Sequence, residues 1–206
     1  MLTLQWASGK EKYFWKRDPE CKEFKTRFVV RDSLQTRALV SYPGSGNTWT
    51  RYLVEAATGV FTGSFYHNKG IINKGLYGEA REYSDGSTLL QKTHHAMPQS
   101  KMFKLEWRLD HIRKFGGRAV LVVRNPYKAI ISFYNFYQTG SQKKSVSAER
   151  LQSTDFHNFV RDGAERWLEL IQDWLLFSTD LHVIMYEVSS EKLAQAIFPF
   201  CLMFRI

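Results

Sequence analysis

Three short segments carry residue types that could do chemistry. The first is Pro43-Gly44-Ser45-Gly46-Asn47-Thr48-Trp49. It follows an apolar run and precedes a helix-like stretch, so successive backbone N–H groups and the helix N-terminus together favour a bound phosphate or sulfate. Glycines let the backbone approach such an anion closely. A P-loop NTPase requires GxxxxGK[ST], whose lysine reaches the β and γ phosphates, and Asn47 stands where that lysine would be. Triphosphate chemistry, and with it a small-molecule kinase, is disfavoured. Taken alone, the loop is also compatible with a glycine-rich turn that holds no ligand.

The second segment begins at Arg124, which precedes NPYKAII, with Ser132 eight positions later and two turns into a helix. A fixed guanidinium and a hydroxyl can grip one phosphate from two sides. Without the first loop, an ordinary ion pair and a helix-surface serine would explain the same residues. The third is Lys92-Thr93-His94, at the end of an apolar run and so at the sheet edge where α/β proteins bind ligands. A histidine takes a proton from an alcohol near neutral pH, and a lysine beside it neutralises charge growing on a transferring anion. Lone histidines are more often structural, and His95 is read that way because Lys92 and His94 share a strand face that it does not.

Regular elements of the chain must position these residues. Apolar, β-favouring runs recur at residues 37–42 (RALVSY), 88–93 (TLLQKT), 118–123 (RAVLVV) and 181–186 (LHVIMY), separated by helix-like or loop segments. This alternation predicts an α/β fold with a parallel sheet flanked by helices. The first run passes through the glycine loop into TWTRYLVEAAT, which stops at Gly59, suited to a left-handed cap. The third is followed by Asn125 and Pro126, an N-cap and a first-turn proline. Between residues 155 and 177, Phe156, Phe159, Val160, Trp167, Leu168, Ile171, Trp174 and Leu175 recur at helical spacing, predicting an amphipathic helix whose aromatics are core. Residues 61–86 and 139–154 read as polar surface loops, where substrate contacts concentrate. Residues 1–32 form a basic, aromatic extension without readable periodicity, ahead of one domain over residues 33–206.

With 206 residues the chain is long enough for one buried core. The formal charge of +9 points to an anionic partner without naming it. Nucleic acid is disfavoured because no recognisable nucleic-acid motif accompanies that charge. Cys21 and Cys201 have no CxxC spacing or His/Cys cluster around them, so neither zinc nor a disulfide framework is indicated, and no metal is expected. Charges interrupt the first residues, so no cleavable signal is read there, and the apolar stretch at residues 193–206 is too short to span a bilayer. It reads as an abrupt end, or else as a short membrane-seeking tail.

In this order the three segments resemble the PAPS-dependent sulfotransferases (PAPS is 3'-phosphoadenosine 5'-phosphosulfate). PGSGNTW resembles the 5'-phosphosulfate loop, RNPYKAIIS the 3'-phosphate segment, and KTH the part that supplies the catalytic base. More narrowly, SLQTRALVSYPGSGNTWTRYLVEAATG, FTGSFY, NKGLYGE and RNPYKA resemble the sulfotransferase domain of the WSC-domain-containing proteins, associated with sulfation of sialylated glycans in the Golgi. The resemblance runs from about Ser33 to Glu187. It implies a P-loop-type sulfotransferase core with Ser45, Gly46, Asn47 and Thr48 around the 5'-phosphosulfate and Trp49 near the adenine. Arg124 and Ser132 would hold the 3'-phosphate, and Tyr186, in the MYE that ends the last strand, would touch the nucleotide. Plain core packing is the competing reading for Trp49 and Tyr186.

The chain departs from the family in three ways. Cytosolic sulfotransferases usually have a lysine at the position of Gly44, where it helps the leaving group; Lys92 and Arg51 are the candidates to replace it. The family continues well past the last strand, so the core is expected to be truncated at its C-terminus and part of the nucleotide pocket to be missing. The WSC modules and membrane anchor of the relatives do not precede it, and a fragment, a splice form or a divergent gene product would each look like this. The expected reaction is in-line sulfonate transfer to a glycan hydroxyl, with His94 as base and Lys92 as electrostatic partner. The alternative is a catalytically inactive module that binds nucleotide or sulfated glycan.

Overall fold

The computed structural model describes residues 4–94, 105–141 and 143–191. In chain order its elements are β1 (Lys12–Tyr13), β2 (Lys25–Thr26), β3 (Ala38–Ser41), α1 (Asn47–Thr58), β4 (Gly63–Ser64), α2 (Lys69–Ile72), β5 (Gln91–Thr93), α3 (Leu105–Lys114), β6 (Arg118–Val123), α4 (Pro126–Thr139), α5 (Ala148–Leu151), α6 (Thr154–Phe177), β7 (Asp180–Met185) and α7 (Tyr186–Glu191). Five strands form a parallel sheet in the order β4-β5-β3-β6-β7, flanked by helices, and β1 pairs with β2 antiparallel. The expected α/β class is what the chain adopts. β3 is central in this order, and ligands of open α/β sheets bind outside the carboxyl ends of strands where the order reverses. The glycine loop leaves β3 at that end.

The chain divides into two compact units. One holds the described residues of Met1–Leu39, Thr48–Thr93 and Val188–Ile206. Within it β4 and β5 pair in parallel, with Gly63 opposite Gln91 and Ser64 opposite Lys92. The apolar run expected over residues 88–93 is a strand only from Gln91. Gln91 Nε2 donates to Thr88 Oγ1 at 2.7 Å and to its carbonyl at 3.2 Å, where residues 88 and 89 bend, while Leu89 N still donates to the Phe61 carbonyl and the Leu90 carbonyl accepts from Gly63 N. The basic, aromatic beginning has local order that no periodicity reveals: Trp6 bridges to Val29, Arg27 bridges to Val60, and Phe28 and Val29 are buried. Gly59 caps α1 at φ +68°, its N–H donating to the Glu55 carbonyl.

The other unit holds Val40–Asn47 and the described residues of His94–Glu187. β6 and β7 pair in parallel over their full lengths, from Arg118 opposite Asp180 to Val123 opposite Met185. α4 starts as its sequence predicts, with the Asn125 side chain accepting from Lys128 N and Pro126 in the first turn, and ends at Gly140 with φ +63°. Ser153 caps α6, accepting from Phe156 N at 3.2 Å. Trp174 of α6 is buried, and Phe159, Val160 and Trp167 pack on a core of Tyr42, Ala129 and Ile130, as the periodicity implies; Leu170, outside that pattern, is buried too. Leu168 and Leu175, a heptad apart, instead lie on the exposed side of that helix. His95, Cys201 and the apolar stretch at 193–206 lie outside the described residues.

Candidate functional site

The glycine loop is shaped by the elements on either side of it. All four residues of β3 are buried, and the chain then turns back, Ser45 N donating to the Tyr42 carbonyl at 3.1 Å. Gly44 (φ +81°) and Gly46 (φ +88°) take left-handed backbone that L side chains rarely adopt. Neither could carry a side chain without displacing a neighbour. A Cβ on Gly44 would overlap the Ala129 carbonyl oxygen and sit 3.0 Å from Phe133 N and 3.2 Å from Ser132 Cβ, so α4 lies directly against the loop. One on Gly46 would overlap the ring of Tyr186. The Asn47 amide donates to Ser41 Oγ at 3.2 Å, tying the start of α1 back to β3. Between the two glycines, Ser45 is buried, and its Oγ has no hydrogen-bond partner among the described residues. A buried hydroxyl left unsatisfied costs about 1–3 kcal/mol, a cost that a polar ligand removes.

Arg124 reaches the same loop from the end of β6. Its Nη1 donates to the Gly44 carbonyl at 2.6 Å, and its guanidinium carbon lies 4.6 Å from the centre of the Tyr186 ring. Its buried Nε has no hydrogen-bond partner among the described residues. Ser132, two turns into α4, is half-buried beside Gly44. Tyr186 does not end β7 as expected; it opens α7, and the backbone change turns its ring onto Gly46 and under Arg124. The next residue, Glu187, accepts from Asn125 N at 3.0 Å.

His94 belongs to this unit through its ring. Nδ1 lies 2.9 Å from the Ser41 carbonyl oxygen, which can only accept, so in the neutral imidazole Nδ1 carries the proton and Nε2 is the basic nitrogen. This tautomer is the one a proton-abstracting histidine needs if Nε2 faces the substrate.

Three of the predicted site residues, Thr48, Trp49 and Lys92, lie in the other unit. Thr48 and Trp49 are in the first turn of α1, and Trp49 is 44% exposed, which sets aside plain core packing. Lys92 is half-buried and alternates in β5 with the buried Gln91 and Thr93. Burial pushes its ammonium below the usual lysine range, the Arg51 guanidinium adds to that shift, and Glu79 opposes it. Arg51 does not fill the role of a leaving-group cation. It is fully buried, with Nε on Thr62 Oγ1 at 2.8 Å, Nη2 on the Thr62 carbonyl at 3.1 Å, and Nη1 paired to Glu79. Each of its three nitrogens is engaged, holding Thr62 and Glu79 against α1. Among the described residues no group of three or more His, Cys, Asp or Glu side chains is gathered as metal ligands would be.

No protein-family model matches the chain. Curated relatives do: it is 32% identical over 197 residues to a WSCD family member of Aedes aegypti, covering 89% of this chain and 57% of that protein. WSCD family members of Drosophila pseudoobscura pseudoobscura and Drosophila melanogaster are likewise 32% identical, over 199 and 200 residues, each with 90% of this chain and 58% of the relative covered. The chain is a relative of the WSCD family members. It spans less than two thirds of their length. Among solved structures it is similar to mouse sulfotransferase SULT7A1 complexed with PAP, with a TM-score of 0.50 and 15% identity over 84% of this chain and 58% of that one. The fold is therefore the sulfotransferase fold. No helix among the described residues is long and apolar enough to cross a membrane.

Within one unit the structure thus gathers Ser45, Gly46, Asn47, Arg124, Ser132, Tyr186 and His94 around the loop after β3. Sequence reasoning missed the Ser41 carbonyl, which carries no side-chain signal, and Glu187, whose only signal was its place after Tyr186.

Proposed function

We propose that this chain is the donor-binding and catalytic part of a sulfotransferase, moving a sulfonate from PAPS to a hydroxyl of a glycan. The observation that carries the reading is the pair of buried, unsatisfied polar groups at the β3 loop, Ser45 Oγ and Arg124 Nε, on a sulfotransferase fold. An anion is the ligand such groups call for, because both can donate to it and the loop amides and the α1 N-terminus favour negative charge. The residues present therefore fit the nucleotide. Ser45, Gly46, Asn47 and Thr48 would hold the 5'-phosphosulfate, Arg124 and Ser132 the 3'-phosphate, and Trp49 and Tyr186 the base. Bound PAPS supplies the sulfonate and departs as PAP.

His94 Nε2 takes the proton of the acceptor hydroxyl as the new oxygen–sulfur bond forms and the bond from sulfur to the phosphate oxygen breaks. The Ser41 carbonyl keeps the ring in the tautomer that makes this possible. The family resemblance gives Lys92 the part of offsetting charge on the sulfonate. Positioning and electrostatics supply most of the acceleration. The resemblance to WSC-domain proteins further proposes sialylated glycans as acceptors, a Golgi setting, and membrane attachment through a segment other than this chain.

One observation favours a second reading, a module that binds nucleotide or sulfated glycan without turnover. Gly44 has no room for the lysine that assists the leaving group in cytosolic sulfotransferases. Transfer of labelled sulfonate from PAPS to members of a sialylated and non-sialylated glycan panel tests both. Labelled product establishes the enzyme, and nucleotide binding without product on any acceptor favours the second reading.

A further inference from the structure

Arg124, the residue after β6, is not held by β6 alone. The dipeptide that follows β7 grips the β6–α4 junction from two sides. The Tyr186 ring lies beneath the Arg124 guanidinium, 4.6 Å from its carbon, and Glu187 Oε1 accepts the very next amide, Asn125 N, at 3.0 Å. Asn125 in turn caps α4 through its own side chain, accepting from Lys128 N. From that junction Arg124 Nη1 reaches the Gly44 carbonyl at 2.6 Å. The chain of contacts runs Glu187, Asn125, Arg124, Gly44, and it lies wholly within one unit.

We infer that Glu187 is a positioning residue, whose carboxylate fixes the turn entering α4 and so holds the Arg124 guanidinium on the loop carbonyl. The chemistry suits the task. A carboxylate on an amide N–H makes a charge-assisted hydrogen bond, stronger than a neutral one. A negative group at the first turn of α4 is also favoured by the helix dipole. Arginine side chains are long and lose much rotamer freedom when fixed, so an anchor at the adjacent backbone confines the guanidinium before any ligand arrives. Without the anchor, the turn at residues 124–126 relaxes, and the loop carbonyl loses a well-placed donor. Glu187 touches neither donor nor acceptor in this role; it acts through Arg124.

The effect on nucleotide affinity rests on the proposed function, but the effect on the loop does not, and the two are read separately. Amide hydrogen exchange of residues 42–47 in the unliganded chain should quicken several-fold in Glu187→Ala and stay close to the unmodified chain in Glu187→Gln, which keeps an acceptor oxygen. In Arg124→Ala the loop has already lost its donor, so adding Glu187→Ala should quicken exchange no further. Unchanged exchange in Glu187→Ala, exchange in Glu187→Gln as fast as in Glu187→Ala, or an undiminished effect on the Arg124→Ala background would each overturn the assignment. Calorimetric titration with PAP then reads the consequence: affinity about tenfold weaker in Glu187→Ala, as expected for losing a charged hydrogen bond, and largely restored in Glu187→Gln. If the unmodified chain binds no PAP, the nucleotide reading fails while the exchange result still decides the role of Glu187.

Discussion

Substituting Gly44 tests whether α4 really seals the loop, and the molecule supplies its own control. Gly44→Ala meets two costs. The left-handed backbone at φ +81° costs a non-glycine residue about 1–2 kcal/mol. The added methyl also overlaps the Ala129 carbonyl and crowds Phe133 N, which are backbone atoms of a packed helix, so relieving it costs a further 1–3 kcal/mol or so. The sum, about 2–5 kcal/mol, corresponds to a fall in Tm of roughly 4–20 °C for a chain of this size. Gly140 has nearly the same backbone, φ +63°, yet nothing lies within 4 Å of where its Cβ would be. Gly140→Ala should therefore lose only the conformational part, about 1–2 kcal/mol. Thermal unfolding followed by circular dichroism separates the two, the difference measuring the contact with α4. A Gly44→Ala variant no less stable than Gly140→Ala would refute the reasoning. So would a Gly44→Lys variant that folds normally and turns over faster, since the structure leaves that lysine nowhere to go.

Three further outcomes follow from the site and its surroundings. His94→Ala should lower sulfonate transfer about 10²- to 10⁴-fold with PAP affinity nearly intact, measured by single-turnover assay beside titration; equal loss of both would remove the histidine from the chemistry. Lys92→Met should reduce turnover roughly 10²-fold while making the fold more stable at neutral pH. The lysine's pKa is depressed, so the unfolded chain holds more protons between that lowered value and the ordinary value of 10.5; stability rises with pH across that window, and denaturant midpoints in the variant should lose this slope. Tyr42 behaves oppositely: burial pushes its hydroxyl up to about 12 from 10.0, so the stability present below pH 10 should fall by on the order of 2–3 kcal/mol as pH rises to 12. Tyr42→Phe should flatten that decline, and an alkaline unfolding curve identical to that of the unmodified chain would show that Tyr42 does not contribute.

The elements that position the loop were legible because local chemistry determines them. The run at 118–123 is β6 to the residue, and Asn125 and Pro126 open α4 by the capping that their types imply. Gly59 ends α1 for the same kind of reason. The glycine loop was legible as a tight turn between strand and helix, and Arg124, Ser132 and Tyr186, distant in sequence, lie against it. What the sequence hid is tertiary. β5 is three residues and not six, the chain bending at Thr88 and Leu89, where the Gln91 side chain bonds back to Thr88. Arg51 looked available for catalysis, yet Thr62 and Glu79, 11 and 28 positions away, occupy it. The apolar run of residues 181–186 implies a strand through Tyr186, whereas the backbone switches to helix there and the ring lies against Gly46. That no side chain can stand at Gly44 depends on where α4 packs, which no local pattern encodes.

The central claim is that the loop after β3 and Arg124 together form a nucleotide site. Calorimetric titration of the purified chain with PAP, beside the Arg124→Ala variant, tests it most directly. The account predicts micromolar binding by the unmodified chain that Arg124→Ala abolishes; a folded chain that binds no PAP, or an Arg124→Ala variant that binds it equally well, would contradict it.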